Sequence, residues 1–142
     1  MINEHDRVRA IQWQDNGLHL LDQRRLPREE VYLPMPDCSS VADAIRDMVV
    51  RGAPAIGITA AYGAVIAARQ RYQADPLNWR EGFKQDIARL RGARPTAVNL
   101  GWALDRVTDR LETMQGDPES ALLSLATDIH EQDIAANRHM GE

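Results

Sequence analysis

The sequence is poor in cysteine and in lysine, and the shortage of cysteine limits its covalent chemistry. Cys38 is the only cysteine among 142 residues, so no disulfide can form within the chain. Lys84 is the only lysine among 17 basic residues, so the others are all arginines. The net charge of −4 gives no overall positive field for nucleic acid or for an anionic membrane surface. The composition therefore favours neither kind of partner.

An apolar leader and a metal-binding spacing are also missing. Residues 1–6 include polar and acidic side chains where an export signal needs an apolar run. The four histidines have no paired spacing of the kind that zinc sites use. We therefore expect a cytoplasmic protein without metal or cofactor, whose length allows a modest hydrophobic core.

The first part of the chain predicts a small antiparallel β unit. Val8–Trp13 and Leu18–Leu21 are apolar runs on either side of a turn signal, and Asn16-Gly17 is the pair that we expect at the turn, because both residues accept positive φ. Val31–Leu33 predicts a third strand, before two prolines interrupt it. We assign residues 1–36 to this N-terminal β unit.

Residues 37–142 predict a bundle of about five helices, so the expected fold class is α+β, mostly α. Apolar residues recur at helical spacing, and glycine or proline marks each break. The second helix is apolar all round and rich in small residues, which predicts a central, closely packed position. The predicted helices run from Ser39 or Ser40 to Arg51, from Pro54 to about Tyr72, from about Asn78 to Arg91, from Pro95 to the break at Gly116, and from Asp117-Pro118 onward.

Short connections between these helices predict an up-and-down topology. In that topology the junction at Arg51 and the junction at Arg94 lie at the same end of the bundle, together with the end of the fifth helix. The two junctions also resemble each other, because Arg51-Gly52-Ala53-Pro54 is echoed by Arg91-Gly92-Ala93-Arg94-Pro95. Capping chemistry alone can produce such an echo.

Each junction carries groups that suit an anion. Gly52 is expected just past the first helix, where a left-handed residue is common, and Pro54 suits the first turn of the next helix. Free backbone N–H groups at Gly52 and Ala53 and the guanidinium of Arg51 would then face one point. We hypothesise that Arg51 and Arg94 hold one phosphate, which requires their guanidinium groups to come within roughly 8 Å. The alternative is an ordinary helix break with a solvated Arg51.

Two sequence blocks carry a family resemblance. Asp47–Gly57, followed by Ala60-Ala61-Tyr62-Gly63, and the later block Arg94–Leu100 resemble the signatures of methylthioribose-1-phosphate isomerases, enzymes of methionine salvage. Related sequences occur in ribose-1,5-bisphosphate isomerases and in regulatory subunits of the exchange factor for translation initiation factor 2. The resemblance runs along essentially the whole chain.

The resemblance implies both a reaction and a set of binding residues. Arg51, Gly52, Ala53 and Arg94 match substrate-binding positions of the family. The implied reaction is the aldose-ketose isomerisation of 5-methylthioribose 1-phosphate to 5-methylthioribulose 1-phosphate. Full-length relatives are homodimers. Whether the substrate is the methylthio sugar or a sugar bisphosphate stays open at this stage.

We expect the chain to lack the catalytic residues of the family. The family's catalytic cysteine and aspartate belong to a later Rossmann-like domain, which we expect to be absent here, and Cys38 does not correspond to that cysteine. We therefore expect an N-terminal part of the enzyme, with no catalytic residue of its own and no isomerase activity alone. The alternative is a non-catalytic regulatory or assembly module related to the exchange-factor subunits.

Overall fold

A computed structural model describes the backbone of residues 10–25, 28–50 and 52–140 and the side chains of these residues up to residue 133. It has the expected α+β, mostly α architecture, with a three-stranded antiparallel sheet ahead of the helices. No helix in these ranges is long and apolar enough to cross a membrane. The elements are β1 (Ile11–Gln14), β2 (Gly17–Leu21), β3 (Tyr32–Met35), α1 (Cys38–Arg46), α2 (Ala53–Ala74), α3 (Trp79–Ala93), α4 (Val98–Glu112) and α5 (Glu119–Met140).

The hairpin between β1 and β2 turns one residue earlier than the sequence predicted. Asp15 and Asn16 occupy the turn with φ of 54° and 60°, and Gly17 already pairs with Gln14 as the first residue of β2. Both central positions of this tight turn need positive φ, which Asp and Asn tolerate. The predicted hairpin is therefore confirmed, but its two central residues are Asp15 and Asn16 instead of Asn16 and Gly17. Residues 8 and 9 of the expected first strand lie outside the described residues.

The third strand continues through a proline that was expected to interrupt it. Pro34 lies opposite His19, and β3 runs on to Met35. Because β3 is an edge strand, a missing N–H group there can face solvent without breaking the sheet. Leu18 and Leu20 of β2 are buried in the same hydrophobic core as the helices. The strands end and the helices begin on either side of the expected boundary at residues 36 and 37.

The first helix is shorter than predicted at its C-terminal end. Asp37 caps its start, because the backbone N–H and the hydroxyl of Ser40 both donate to Asp37 Oδ1 at 2.8 Å. The helix ends at Arg46, and Met48 takes the left-handed position with φ of 67°. Val49 N then donates to Ala44 O, as in a Schellman end. The expected continuation to Arg51 was therefore wrong.

Helix α2 is the central helix, as predicted. It is buried without interruption from Ile56 to Ala68 and packs against all four other helices. Its glycines allow this close packing. A Cβ atom at Gly57 would lie 2.8 Å from the backbone oxygen of Asn99, and one at Gly63 would lie 2.8 Å from Val41 Cγ1. The small residues thus bring neighbouring helices within backbone contact of α2.

The remaining helices confirm the predicted apolar stripes but not every boundary. Helix α3 continues through Gly92 to Ala93, and α4 begins at Val98, after Pro95 has already passed through the turn. Before α5, Asp117 Oδ1 accepts a hydrogen bond from Glu119 N at 3.0 Å, as a capping residue should. The buried stripe residues are Trp79, Phe83, Ile87 and Leu90 of α3, Leu100, Leu104, Val107 and Leu111 of α4 with Met114 after it, and Leu122, Ala126 and Ile129 of α5.

Contacts between the helices confirm the up-and-down topology. Arg69, late in α2, pairs with Glu119 at the start of α5 at 3.1 Å. Arg80, at the start of α3, donates to the backbone oxygens of Leu111 and Met114 at the end of α4. Gly57 meets Asn99 one turn into α2 and α4. The beginnings of α2 and α4 therefore lie at the same end of the bundle.

Candidate functional site

A cleft of about 430 Å³ opens where α2 and α4 begin, beside the middle of α5. The early turns of α2 and α4 form two of its walls, and α5 forms the third. This is the end of the bundle at which the sequence placed both junctions. The lining residues are Pro54, Gly57 and Ile58 of α2, Val98, Asn99 and Trp102 of α4, and Ile129, Gln132 and Asp133 of α5.

The two helices that begin at this cleft lack a carboxylate in their first turn. Gly52 and Ala97 occupy their N-cap positions, and neither supplies a side-chain hydrogen bond. The starts of α1 and α5 are capped by aspartates, and α3 has Glu81 in its first turn. A helix start carries partial positive charge and unpaired N–H groups. At α2 and α4 neither the N-cap nor the first turn supplies a carboxylate to balance that charge.

Three of the predicted binding residues, Gly52, Ala53 and Arg94, are described, and none of them is among the residues that line the cleft. Gly52 is exposed with φ of 89°, and Ala53 is the exposed first residue of α2. Arg94 is half-buried directly after α3, and its guanidinium has no hydrogen-bond or ion-pair partner within the described part of the chain. Arg51 lies outside the described residues. The expected approach of Arg51 and Arg94 to within roughly 8 Å therefore stays a prediction.

The cleft itself is mainly apolar, and sequence reasoning missed most of its lining. Val98 and Trp102 lie one turn apart on α4 and remain 82% and 49% exposed, although both are apolar. Asn99, Gln132 and Asp133 provide the polar groups. The spacing of Val98 and Trp102, which continues from the second signature block, was the available signal.

A hydrogen-bonded pair anchors α5 beside the cleft. Tyr62 Oη lies 2.9 Å from His130 Nδ1, and the Tyr62 ring stacks on Trp13 of β1. Burial lowers the pKa of His130, which the nearby carboxylates of Asp133 and Glu131 raise in part. Burial also raises the pKa of Tyr62. The pair is therefore neutral near pH 7 and holds the middle of α5 against the central helix.

The single cysteine is not part of the cleft and is unreactive at neutral pH. Cys38 is buried at the start of α1, and its thiol donates to the backbone oxygen of Asp86 at 3.7 Å. Burial raises the pKa of the thiol to about 12, so the reactive thiolate is scarce at neutral pH. This environment gives Cys38 a structural role in the packing of α1. Within the described ranges, no group of three acidic, cysteine or histidine residues could hold a metal ion.

Sequence comparison decides the family. The profile of the initiation factor 2 subunit family matches residues 49–142, which include both junctions and every helix that lines the cleft. The chain belongs to this family. The expected resemblance to methylthioribose-1-phosphate isomerases is confirmed as well, because several similar curated relatives carry that name.

Three bacterial relatives named methylthioribose-1-phosphate isomerase show how close the similarity is. The chain is 56% identical to the protein of Alkalilimnicola ehrlichii, with 97% of this chain and 40% of the relative covered. It is 54% identical to that of Nitrosococcus oceani, with 100% and 41% covered, and 55% identical to that of Pseudomonas aeruginosa, with 96% and 38% covered. The chain thus spans about 40% of the length of these relatives.

Two solved structures of the family share the fold. The 5-methylthioribose 1-phosphate isomerase of Pyrococcus horikoshii is 31% identical with a TM-score of 0.71, with 89% of this chain and 35% of that chain covered. Subunit delta of translation initiation factor eIF-2B from A. fulgidus is 35% identical with a TM-score of 0.81, with 88% and 37% covered. One fold therefore serves proteins with two different names.

Proposed function

We propose that this chain is the N-terminal part of a methylthioribose-1-phosphate isomerase and supplies part of its substrate phosphate site. The reaction is the conversion of 5-methylthioribose 1-phosphate to 5-methylthioribulose 1-phosphate in methionine salvage. The similarity to bacterial proteins of that name supports the assignment. The observation that carries the site is the pair of helix beginnings at one cleft, neither of which has an acidic residue in its first turn, with Arg94 just before α4.

The physical basis of the phosphate site is a local excess of positive potential. The first turns of α2 and α4 present unpaired N–H groups at one end of the bundle. Gly52 has no side chain and is exposed, so a ligand can approach the backbone closely. Arg94 adds a fork of donors matched to phosphate oxygens, and Arg51 is proposed to add a second one.

The chemical step requires more than this site. Moving a proton or hydride between C1 and C2 of an opened sugar needs a general acid and base in a water-poor pocket. We propose no residue of this chain for that role, so the chain binds substrate and leaves the acid-base step to the remainder of the enzyme. Turnover by the purified 142-residue chain would contradict this division of labour.

Calorimetric titration of the 142-residue chain with inorganic phosphate and with 5-methylthioribose 1-phosphate tests the proposed site. We expect Arg94→Gln and Arg51→Gln each to weaken binding by about tenfold or more, because each removes a charge-assisted hydrogen bond to phosphate. Arg110→Gln is the matched control. It removes an arginine from the opposite end of α4, where Arg110 donates to Thr113 Oγ1.

The outcomes separate the proposal from non-specific attraction. Selective loss of binding in the two junction variants supports the site. Equal weakening in all three variants would show that only the net charge matters, and unchanged binding in Arg94→Gln would refute the role of that residue.

The higher structural similarity to the A. fulgidus delta subunit favours a second candidate function, a regulatory or assembly module. This candidate predicts stable association with other subunits and no binding of sugar phosphate. Size-exclusion chromatography with light scattering distinguishes the two, since the isomerase reading predicts a homodimer of the full-length protein. We also propose a cytoplasmic location, where a sugar-phosphate substrate would be met.

A further inference from the structure

The contact between Tyr62 and His130 joins the central helix to α5 directly beside the cleft. Tyr62 lies one turn after Ile58 on the same face of α2, and His130 follows Ile129 in α5. Ile58 and Ile129 both line the cleft. The contact of 2.9 Å between Tyr62 Oη and His130 Nδ1 therefore lies just behind the lining, where α2 and α5 meet.

The wall of the cleft that α5 forms is attached mainly to the central helix. Helix α5 packs chiefly against α2 and only slightly against α4. Within residues 128–133, Ile129 is the one buried side chain, and the others are half-buried or exposed. The packing of Ile129 and the hydrogen bond of His130 are therefore two main attachments of this part of α5 to α2.

The side chain of Tyr62 is held in place, so α5 is the partner that can move. The Tyr62 ring stacks on Trp13 of β1, with the ring centres 5.3 Å apart and the planes at 13° to each other. Thr127 of α5 also hydrogen-bonds the Tyr62 hydroxyl, and it precedes the residues that line the cleft. Release of His130 would free the wall, while Thr127 keeps the first part of α5 against α2.

The groups around His130 favour its release once it takes up a proton. Protonation places a hydrogen on Nδ1, so this nitrogen can no longer accept from the Tyr62 hydroxyl. From α2 the ring faces only this uncharged hydroxyl among the described residues, and the ring of Trp13 from β1 lies behind it. The carboxylates of Asp133 and Glu131 on α5 attract the charged ring, and Glu131 is exposed. The charged form is thus better accommodated towards solvent.

We propose that Tyr62 and His130 are positioning residues for the α5 wall of the cleft, and that protonation of His130 releases this wall and weakens anion binding. The inference rests on the proposed phosphate site, whose anion is held at this cleft. It predicts a sign that charge alone does not. A protein that gains positive charge at low pH should bind an anion more tightly, whereas release of the wall should weaken binding.

The first test is a calorimetric titration of the 142-residue chain with sulfate at about pH 7.5 and at about pH 5.5, on either side of the usual histidine range. Sulfate is the probe because its charge stays constant over this range, whereas the charge of phosphate changes. We expect the affinity for sulfate to be about threefold lower at the lower pH.

Three variants assign this pH dependence. In His130→Asn the fall should disappear, because the amide oxygen can accept from Tyr62 as Nδ1 does and takes up no proton. Tyr62→Phe keeps the ring that stacks on Trp13 but should bind sulfate weakly at both pH values. His19→Asn is the matched control, since it removes a titrating imidazole from β2, where His19 lies opposite Pro34. It should keep the threefold fall.

A second measurement needs no ligand. Spin labels attached through Val98→Cys and Gln132→Cys lie on two walls of the cleft, since Val98 belongs to α4 and Gln132 to α5. Cys38 is buried and the pKa of its thiol is raised to about 12, so it should remain unlabelled. We expect the distance between the labels to lengthen at the lower pH, and to stay constant when His130→Asn is added.

The outcomes separate this inference from the phosphate site. Weaker sulfate binding and a longer label distance at low pH, both lost in His130→Asn, support the positioning role. Tighter binding at low pH, or the same pH dependence with and without His130→Asn, refutes that role and leaves the phosphate site standing. If no anion binds at either pH, the phosphate site fails. The label distance then decides alone, and an unchanged distance refutes the release of the wall.

Discussion

The helices of the bundle begin in two different ways. Helices α1 and α5 start with an aspartate that accepts a backbone N–H, and α3 has a glutamate in its first turn. Helices α2 and α4 start at Gly52 and Ala97, with neither a capping side chain nor an acidic residue in the first turn. The second pair meets at one cleft, whereas the capped helices use their own carboxylates to balance the helix charge.

The difference suggests a division between stability and binding. A capping side chain is worth about 1 kcal/mol, so α2 and α4 forgo stability that a single Asp or Ser would supply. In exchange, their N–H groups and positive ends stay available for an anion. Close contact at Gly57 then holds the two uncapped beginnings together.

The largest expected effect comes from separating the two uncapped beginnings. Gly57→Val places side-chain atoms where a Cβ already lies 2.8 Å from the backbone oxygen of Asn99, which cannot yield as a flexible side chain would. We expect a loss of about 3 kcal/mol in the free energy of unfolding, measured by urea denaturation. Gly92→Ala is the control, because nothing lies within 4 Å of its Cβ position, and it should gain about 0.5 kcal/mol. A similar loss in both variants would contradict the close contact.

Removing a cap should cost stability without touching the cleft. Asp37→Ala leaves Ser40 N without its acceptor at the start of α1, so the free energy of unfolding should fall by about 1.5 kcal/mol. Phosphate affinity should not change. Asp43→Ala, in the same helix, removes only an exposed ion pair with Arg46 and should cost less than about 0.5 kcal/mol. Equal effects of the two substitutions would argue against the capping role.

Adding a cap to an uncapped helix should increase its stability and weaken phosphate binding. Ala97→Asp supplies an acceptor at a backbone conformation that already suits an N-cap, with φ of −79° and ψ of 107°. We expect the free energy of unfolding, measured by thermal unfolding, to rise by about 1 kcal/mol. Phosphate binding should weaken roughly tenfold, since the new carboxylate repels the anion. Ala97→Ser should give a similar gain with little loss of affinity. Tighter phosphate binding by the aspartate variant would refute the idea.

The segment that connects α1 to α2 contains a strained residue, and its replacement should change the free energy of unfolding by a smaller amount. Met48 adopts φ of 67° after α1, a conformation that costs a residue with a Cβ atom more than glycine. Met48 is 41% exposed, so Met48→Gly loses only part of the packing of a core residue, and relief of the left-handed conformation should raise the free energy of unfolding by about 0.5 kcal/mol in denaturant unfolding. Met48→Ala should show no such gain. A destabilised glycine variant would mean that Met48 makes contacts that outweigh its strain.

The smallest expected effect concerns the contact between His130 of α5 and Tyr62 of α2 beside the cleft. Burial lowers the pKa of His130 in the folded state, so the unfolded chain takes up a proton first as the pH falls below about 6.5. Stability should therefore fall from pH 7 towards pH 5, as protonation competes with the Tyr62 contact. His130→Gln should show a shallower pH dependence of the free energy of unfolding. Identical slopes would contradict the shift.

The sequence predicted features that depend on local pattern. Apolar spacing located all five helices, and the continuous small and apolar run of α2 predicted its central position. Two of the errors concern which residues take a positive φ. Asp15-Asn16 took the turn expected at Asn16-Gly17, and Met48 took a left-handed position expected at Gly52. Tertiary packing decides which residue takes such a conformation, because it fixes which residue must face the core.

The sequence by itself determined the elements, their up-and-down order and the family, since these follow from periodicity, short connections and two signature blocks. Only the tertiary structure decided that Val98 and Trp102 remain exposed beside Gly57, and that Asp133 of α5 shares their cleft. Apolar residues at helical spacing look the same in a sequence whether they face a core or a cleft. The relative rotation of packed helices makes that distinction, and it depends on contacts between residues far apart in the chain.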